Sequence, residues 1–217
     1  MNIQLVSTLL QRLDGRPEAI EVQEPFASGP EHCILLFDRS ASMSADDYPP
    51  SRLQAAFDAG LEFVKVKLAA NLPDLISIVM FENEADLICK DLPPDEAIKA
   101  LNYLKSEDEI GGGTDINSGL LEAEAQLNGG PAGYRKRILL LTDGHGGDFI
   151  RTGQRLRGAG VCIDIIGIAG EPQHVAETDL KKVASVVNGV SRYRFIKNRA
   201  ELLQHFKTIA NDLQQVK

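Results

Sequence analysis

Five oxygen-bearing side chains stand out by type and setting: Asp38, Ser40, Ser42, Thr114 and Asp143. The first three belong to Asp38-Arg39-Ser40-Ala41-Ser42, directly after the apolar run Cys33–Phe37. They therefore emerge at the carboxyl end of a strand, where open α/β sheets place their ligand sites. Three oxygen side chains at alternate positions of a tight loop can converge on one point. Thr114 follows Gly111-Gly112-Gly113 and precedes a helical segment, and Asp143-Gly144 is delivered by the apolar run that ends at Thr142. Right-handed crossovers bring all three loops to one edge of the sheet. Two carboxylates and three hydroxyls are hard donors, suited to Mg²⁺ or Mn²⁺ with waters completing an octahedron. Without His or Cys they suit zinc poorly.

These loops need a scaffold, and the pattern of the chain supplies one. Strands are expected over Cys33–Phe37, Leu75–Phe81, Ala85–Cys89, Arg137–Thr142, Val161–Ile168 and Tyr193–Ile196. Near-continuous apolar stretches such as Ile138–Leu141 indicate strands covered on both faces. Leu53, Ala56, Phe57, Gly60, Leu61, Val64 and Leu68 repeat at three and four residues, a helix that Ser51 caps and Pro73 follows. A second helix starts near Asp115 and ends at Gly129-Gly130. Further helices are expected over Ala97–Leu104, Phe149–Arg157, Asp179–Val187 and Ala200–Val216, and Glu82–Glu84 reads as a hairpin turn. Such alternation predicts a doubly wound α/β fold: a mostly parallel central sheet with one antiparallel edge strand and helices on both faces. Met1–Leu9 reads as strand or helix and Ala19–Gln23 as a short extended run, so residues 1–30 are expected to be an N-terminal edge extension of the same domain.

With 217 residues, 43% hydrophobic and 25% charged, the chain has the composition of one globular domain with a mostly aliphatic core, since Trp is absent. A net charge of −8 argues against nucleic acid or anionic lipid as a partner. Met1–Arg12 lacks the pattern of a secretory signal and no apolar stretch approaches a membrane span, so a cytoplasmic protein is expected. Cys33, Cys89 and Cys162 each lie in an apolar run and read as small buried hydrophobes in a reducing compartment.

Together, strand–DxSxS, Gly-Gly-Thr before a helix and strand–Thr-Asp-Gly resemble a von Willebrand factor type A (vWA) domain, with a Rossmann-like fold, over Glu31 to Lys217. The resemblance implies that Asp38, Ser40, Ser42, Thr114 and Asp143 form a metal-ion-dependent adhesion site. Ser40, Ser42 and Thr114 would ligate through hydroxyls, and Asp38 and Asp143 mainly through waters. One position would be left for an Asp or Glu of a protein partner. By resemblance that partner is an AAA-type ATPase, kinase or phosphatase of the same system, and the domain alone is a monomer. Ala41 replaces the frequent Gly of the motif, narrowing the backbone choices in that turn. Asp46 and Asp47 resemble the acidic pair that adds a neighbouring cation site in integrin-type relatives, at a longer offset.

Each motif also has an ordinary structural reading. Asp38, Ser40 and Ser42 alone could simply bond their own backbone in a strand-end turn. The glycine loop lacks the Lys of a phosphate-binding loop. His145 suits an exposed loop, and Arg135-Lys136-Arg137 the hydrophilic lead-in to a strand. A Mg²⁺-dependent hydrolase or phosphatase with Asp38 as nucleophile is the competing function. Haloacid-dehalogenase-type phosphatases place a second Asp where this chain has Ser40, and no phosphate-steadying Lys is in evidence. A non-catalytic, divalent-cation-dependent protein-binding module is therefore expected.

Overall fold

A computed structural model describes residues 29–205 except 108, 188, 199 and 203. The two segments expected within residues 1–30, and most of the helix expected over Ala200–Val216, lie outside the described residues. Strands are β1 (Glu31–Asp38), β2 (Leu75–Phe81), β3 (Ala85–Leu92), β4 (Arg135–Thr142), β5 (Cys162–Ile168), β6 (Val186–Val187), β7 (Val190–Ser191) and β8 (Tyr193–Ile196). Helices are α1 (Arg52–Ala70), α2 (Pro94–Glu107), α3 (Ile116–Gly129), α4 (Ile150–Gly158) and α5 (Glu177–Val183), with short 3₁₀ turns at Ala41–Ser44 and Pro172–His174. The main sheet has the order β3-β2-β1-β4-β5-β8, parallel throughout except for the β2–β3 pair. This is the expected doubly wound, Rossmann-like architecture.

β1 sits at the centre and is buried along its whole length, which explains its apolar run. Its side chains alternate between two cores. Cys33, Leu35 and Phe37 pack with α1 and α2, and Ile34 and Leu36 pack with α3, α4 and α5. Ser51 caps α1 as expected, accepting from Gln54 N at 3.1 Å. The hairpin turn closes at Glu82–Glu84, where Glu82 N donates to Glu84 O at 3.0 Å. β3 is not a regular partner of β2: the register shifts twice, between Ile76 and Ile78 and between Ile78 and Val79. Asp91 takes φ 52° beside these shifts, and its amide donates to Ser77 Oγ at 3.0 Å.

Three expectations are corrected. The helix expected over Asp179–Val187 stops at Val183, and Val186–Val187 pairs instead with Val190–Ser191 in a small antiparallel hairpin. Gly189, at φ 75°, makes the tight return possible. Cys33 and Cys162 are buried, but Cys89 is half-buried because β3 lies at the sheet edge. Arg137 is no hydrophilic lead-in: it lies within β4, is buried, and sits in an ion-pair network at the amino end of the strands.

Glu31 is the hub of that network. Its carboxylate accepts from Arg137 Nε at 3.0 Å and Arg137 Nη2 at 3.1 Å, and pairs with Arg135 at 2.8 Å and with Lys67. Arg137 also pairs with Asp164, and Asp74 Oδ1 accepts from Glu31 N at 2.7 Å. Burial alone would raise the Glu31 carboxyl, but Arg137, Lys67 and Arg135 hold it well below its ordinary value of 4.5. A carboxyl with a depressed folded pKa contributes stability above its unfolded value and loses it as acid protonates the folded state. Stability is therefore expected to fall as the pH drops below 4.5. Glu31→Gln should flatten that limb, as denaturant midpoints measured across the acid range would show.

Candidate functional site

The site lies at the opposite, carboxyl end of the sheet. β1 ends at Asp38 beside the end of β2, and Arg39 N donates to Phe81 O at 2.9 Å. Asp38 is fully buried. Its Oδ1 accepts from Ser40 N at 2.8 Å, and its Oδ2 accepts from Thr142 Oγ1 at 2.6 Å. Thr142 Oγ1 in turn accepts from Gly144 N at 2.8 Å, so the ends of β1 and β4 are bonded together through Asp38. Ser40 and Ser42 place their Oγ atoms 3.1 Å apart. The turn between them is 3₁₀, closed by Met43 N to Ser40 O at 2.9 Å. Right-handed helical backbone accepts a Cβ without strain, which is why Ala41 serves where glycine is frequent.

The glycine loop is docked onto this turn by its backbone. Gly111 N donates to Arg39 O at 2.7 Å, and Ala41 N to Gly112 O at 3.2 Å. Glu82 braces the loop from the hairpin, accepting from Gly112 N through its carboxylate and from Asp115 N through its carbonyl. Thr114 follows, half-buried, and Asp115 then caps α3 by accepting from Asn117 N at 3.0 Å and Ser118 N at 3.2 Å. The loop after β4 closes over Thr114. A Cβ at Gly146, whose φ is 152°, would overlap the Thr114 carbonyl oxygen and Cβ.

Asp143 is fully buried and engaged on both oxygens. His145 N donates to Oδ1 at 3.3 Å, and Arg52 Nη1 donates to Oδ2 at 2.9 Å. The remaining face of the Arg52 guanidinium forks onto Asp47, at 2.8 Å from Nε and 2.6 Å from Nη2. Asp47 also accepts from Gly170 N at 3.1 Å, and Arg52 in particular holds its carboxyl down at about 2. Asp47 is thus committed to Arg52 rather than to a second cation site. Asp38 differs: burial pushes its carboxyl up to about 6, and among the described residues it makes no ion pair.

All five expected residues therefore lie at one end of the sheet, Asp38 as the last residue of β1 and the others on loops that these bonds tie together. Ser40 and Ser42 are in direct contact, Asp38 is joined to the same turn, and Thr114 and Asp143 are brought in by the docked loops. His145 is an exposed loop residue whose Nε2 lies 2.9 Å from His174 O. Glu82 and Arg52 were not singled out in the sequence, and Thr142 only as part of the Thr-Asp-Gly motif rather than as a site residue. Thr142 adjoins the expected Asp143 and Glu82 lies in the expected turn, whereas Arg52 reads only as the first residue of a helix.

The profile of the von Willebrand factor type A domain matches residues 33–145, just over half the chain and the interval that carries all five expected residues. The chain belongs to the von Willebrand factor type A family. Among curated proteins it is similar to a UPF0353 protein of Nocardia farcinica, 34% identical over 116 residues, which are 51% of this chain and 33% of the relative. This vWA chain thus spans about a third of the length of that relative. Among solved structures it is similar to BatB from Bacteroides thetaiotaomicron at TM-score 0.69 and 18% identity, covering 86% of this chain and 98% of that one. The SpRpn10 VWA domain follows at TM-score 0.64 and 19% identity, over 83% and 95% of the two chains. A von Willebrand factor type A protein from Catenulispora acidiphila matches at TM-score 0.62 and 20% identity, over 85% and 43%. These likenesses support the fold, and vWA domains are typically protein-interaction modules.

One Ser/His/Asp constellation occurs elsewhere in the vWA domain, but its geometry is structural. His32 Nε2 lies 3.3 Å from Ser77 Oγ and 3.0 Å from Asp91 Oδ1, so one ring nitrogen meets both partners, whereas a nucleophile and an orienting acid need opposite nitrogens. His32 and Ser77 are also buried at the end of the sheet remote from Asp38. No helix among the described residues is long and apolar enough to cross a membrane.

Proposed function

We propose that this vWA domain is a non-catalytic, divalent-cation-dependent protein-binding module. Mg²⁺ or Mn²⁺ would be held by Asp38, Ser40, Ser42, Thr114 and Asp143, and an Asp or Glu of a protein partner would complete its coordination. The observation that carries the reading is Asp38, a fully buried carboxyl without an ion-pair partner among the described residues, set beside two hydroxyls 3.1 Å apart. A buried carboxylate without a countercharge is costly unless it is protonated or meets a cation. Hydroxyl oxygens and carboxylates are donors that Mg²⁺ and Mn²⁺ accept. When bound, the cation would supply an electrophilic position for an incoming carboxylate. The hydrolase alternative is less well supported, because a nucleophilic Asp38 would need a free, accessible oxygen and both of its oxygens accept hydrogen bonds in a buried setting.

Calorimetric titration with Mn²⁺ tests the proposal. One saturable site is expected, of modest affinity because three of the donors are neutral. Asp38→Ala combined with Asp143→Ala should abolish it while cooperative unfolding persists. Mg²⁺ should compete for the site, and Ca²⁺, which prefers longer bonds and more ligands, should compete less well. Absence of saturable binding at millimolar metal, or binding that survives the double substitution, would refute the reading.

A further inference from the structure

Asp38, Ser40 and Ser42 are set by the end of β1 and Asp143 by the end of β4, whereas Thr114 stands on a loop between two helices, α2 and α3. Three glycines lead to it, and glycine holds no conformation by itself. Order is supplied from outside, by the tip of the β2–β3 hairpin. Glu82 spans the segment: its carboxylate accepts from Gly112 N and its carbonyl oxygen from Asp115 N, with Thr114 between the two bonds. A Cβ at Gly111 would overlap the carboxylate and the Cβ of Glu82, and a Cβ at Gly113 would overlap the side-chain amide of Asn83. None of Gly111, Gly112 and Gly113 has a positive φ, so it is the closeness of the hairpin tip that calls for glycine at 111 and 113. We propose that Glu82 is a positioning residue: through its two bonds across Gly112–Asp115 the hairpin tip sets the place of the Thr114 hydroxyl, and with it the affinity of the rim for a divalent cation. The inference rests on the proposed cation site and deepens it, because the control point lies on strands that carry none of the five expected donors.

A carboxylate here could act on a cation in two ways, and they differ in what they require. As a negative charge Glu82 would attract the cation directly, whatever the length of its side chain. As a clamp it needs an acceptor that reaches Gly112 N, which the side-chain carbonyl of Gln supplies as well. The geometry favours the clamp. One carboxylate oxygen is spent on Gly112 N, and the other lies 3.9 Å from Arg39 Nη2, which offsets its charge. Arg39 joins the same arrangement through its backbone, since its carbonyl oxygen accepts from Gly111 N at 2.7 Å. The hairpin tip, the turn after β1 and the glycine loop are therefore held as one unit, with Glu82 at the point where they meet.

The test uses the whole chain with Glu82→Gln, Glu82→Asp, Thr114→Ala and the double variant Glu82→Asp with Thr114→Ala. It reads amide hydrogen exchange at Gly112 without metal, and Mn²⁺ affinity by calorimetry. Glu82→Asp keeps the charge but falls one methylene short of Gly112 N. Exchange should quicken and Mn²⁺ binding weaken, each by about tenfold, as the loss of one hydrogen bond to a charged group requires. Glu82→Gln loses the charge but keeps the reach, and should stay within about twofold of wild type in both measurements. In the Thr114→Ala background Glu82→Asp should weaken Mn²⁺ binding no further, because the hydroxyl it positions is gone. The reverse order, Glu82→Gln weak and Glu82→Asp like wild type, would assign the effect to charge and overturn the inference. Full additivity with Thr114→Ala, or Mn²⁺ affinity unchanged in Glu82→Asp, would overturn it too, and each of these results leaves the cation site standing. Where Thr114→Ala binds too weakly to measure, the contrast between Gln and Asp decides. Absence of Mn²⁺ binding in the wild type would remove the cation site itself, and the positioning role with it.

Discussion

Replacing Glu31 by alanine should cost the domain about 3–5 kcal/mol of folding free energy, because it breaks a buried ion-pair network from its centre. The loss of Coulombic attraction is only part of the effect. Arg137 and Lys67 are both buried, and each pairs with Glu31. Without the carboxylate they share Asp74 and Asp164 and carry charge that burial penalises. Urea unfolding of wild type and Glu31→Ala measures the cost. The double variant Glu31→Ala with Arg137→Ala should lose less than the sum of the single losses, since the second change removes a buried charge that the first deprived of its Glu31 partner. A loss below 1 kcal/mol, or strict additivity, would mean that water or rearranged partners satisfy these groups.

Gly146→Ala should damage the rim without touching any proposed ligand. The backbone there has φ 152°, which L side chains rarely adopt, and holding a non-glycine residue in such a region costs about 1–3 kcal/mol. The added methyl would also overlap the carbonyl oxygen and Cβ of Thr114, which cannot yield by simple rotation of a flexible side chain. Overlaps of this kind cost a further ~1–3 kcal/mol when the surroundings must shift. The group that must shift is the residue proposed to offer a hydroxyl to the cation. Lower thermal stability together with weakened Mn²⁺ binding is the expected pair of results. Lower stability with unchanged binding would separate Thr114 from the cation site. As a control, Gly133→Ala also changes a positive-φ glycine, at 87°, but meets nothing within 4 Å and should leave Mn²⁺ binding intact.

These two predictions rest on residues of unequal visibility in the sequence. Leu75–Phe81 is found at its expected limits because a strand buried from Ile76 to Phe81 leaves an apolar run interrupted only by Ser77, bounded here by Pro73 and by the hairpin turn. The five rim residues were legible for a related reason, since strand ends and a glycine-rich loop before a helix fix where short polar side chains must emerge. What the sequence hides is who pairs with whom over long separations. Arg137 and Glu31 stand 106 positions apart, and Arg52 and Asp143 stand 91 apart. No local pattern distinguishes a buried arginine with carboxylates waiting for it from one at the surface. The end of α5 was missed for the opposite reason: Val186 and Val187 continue an apolar pattern that suits a helix, and only pairing with Val190–Ser191 overrides it.

The two outer strands of the sheet bear on how copies of this domain meet one another. A straight, unpaired edge strand is a template onto which another molecule can add its own strand. β3 does not offer one, since its register with β2 slips twice within a few residues and Asp91 turns its backbone into the left-handed region. Asp86 and Lys90 stand exposed along the same strand, so a neighbour laid against it would meet charge as well as kinks. At the far edge β8 is four residues long, too short to seed extended pairing. Among the described residues both margins of the sheet thus discourage edge-to-edge aggregation, and the proposed association through the rim would not compete with strand addition at its sides.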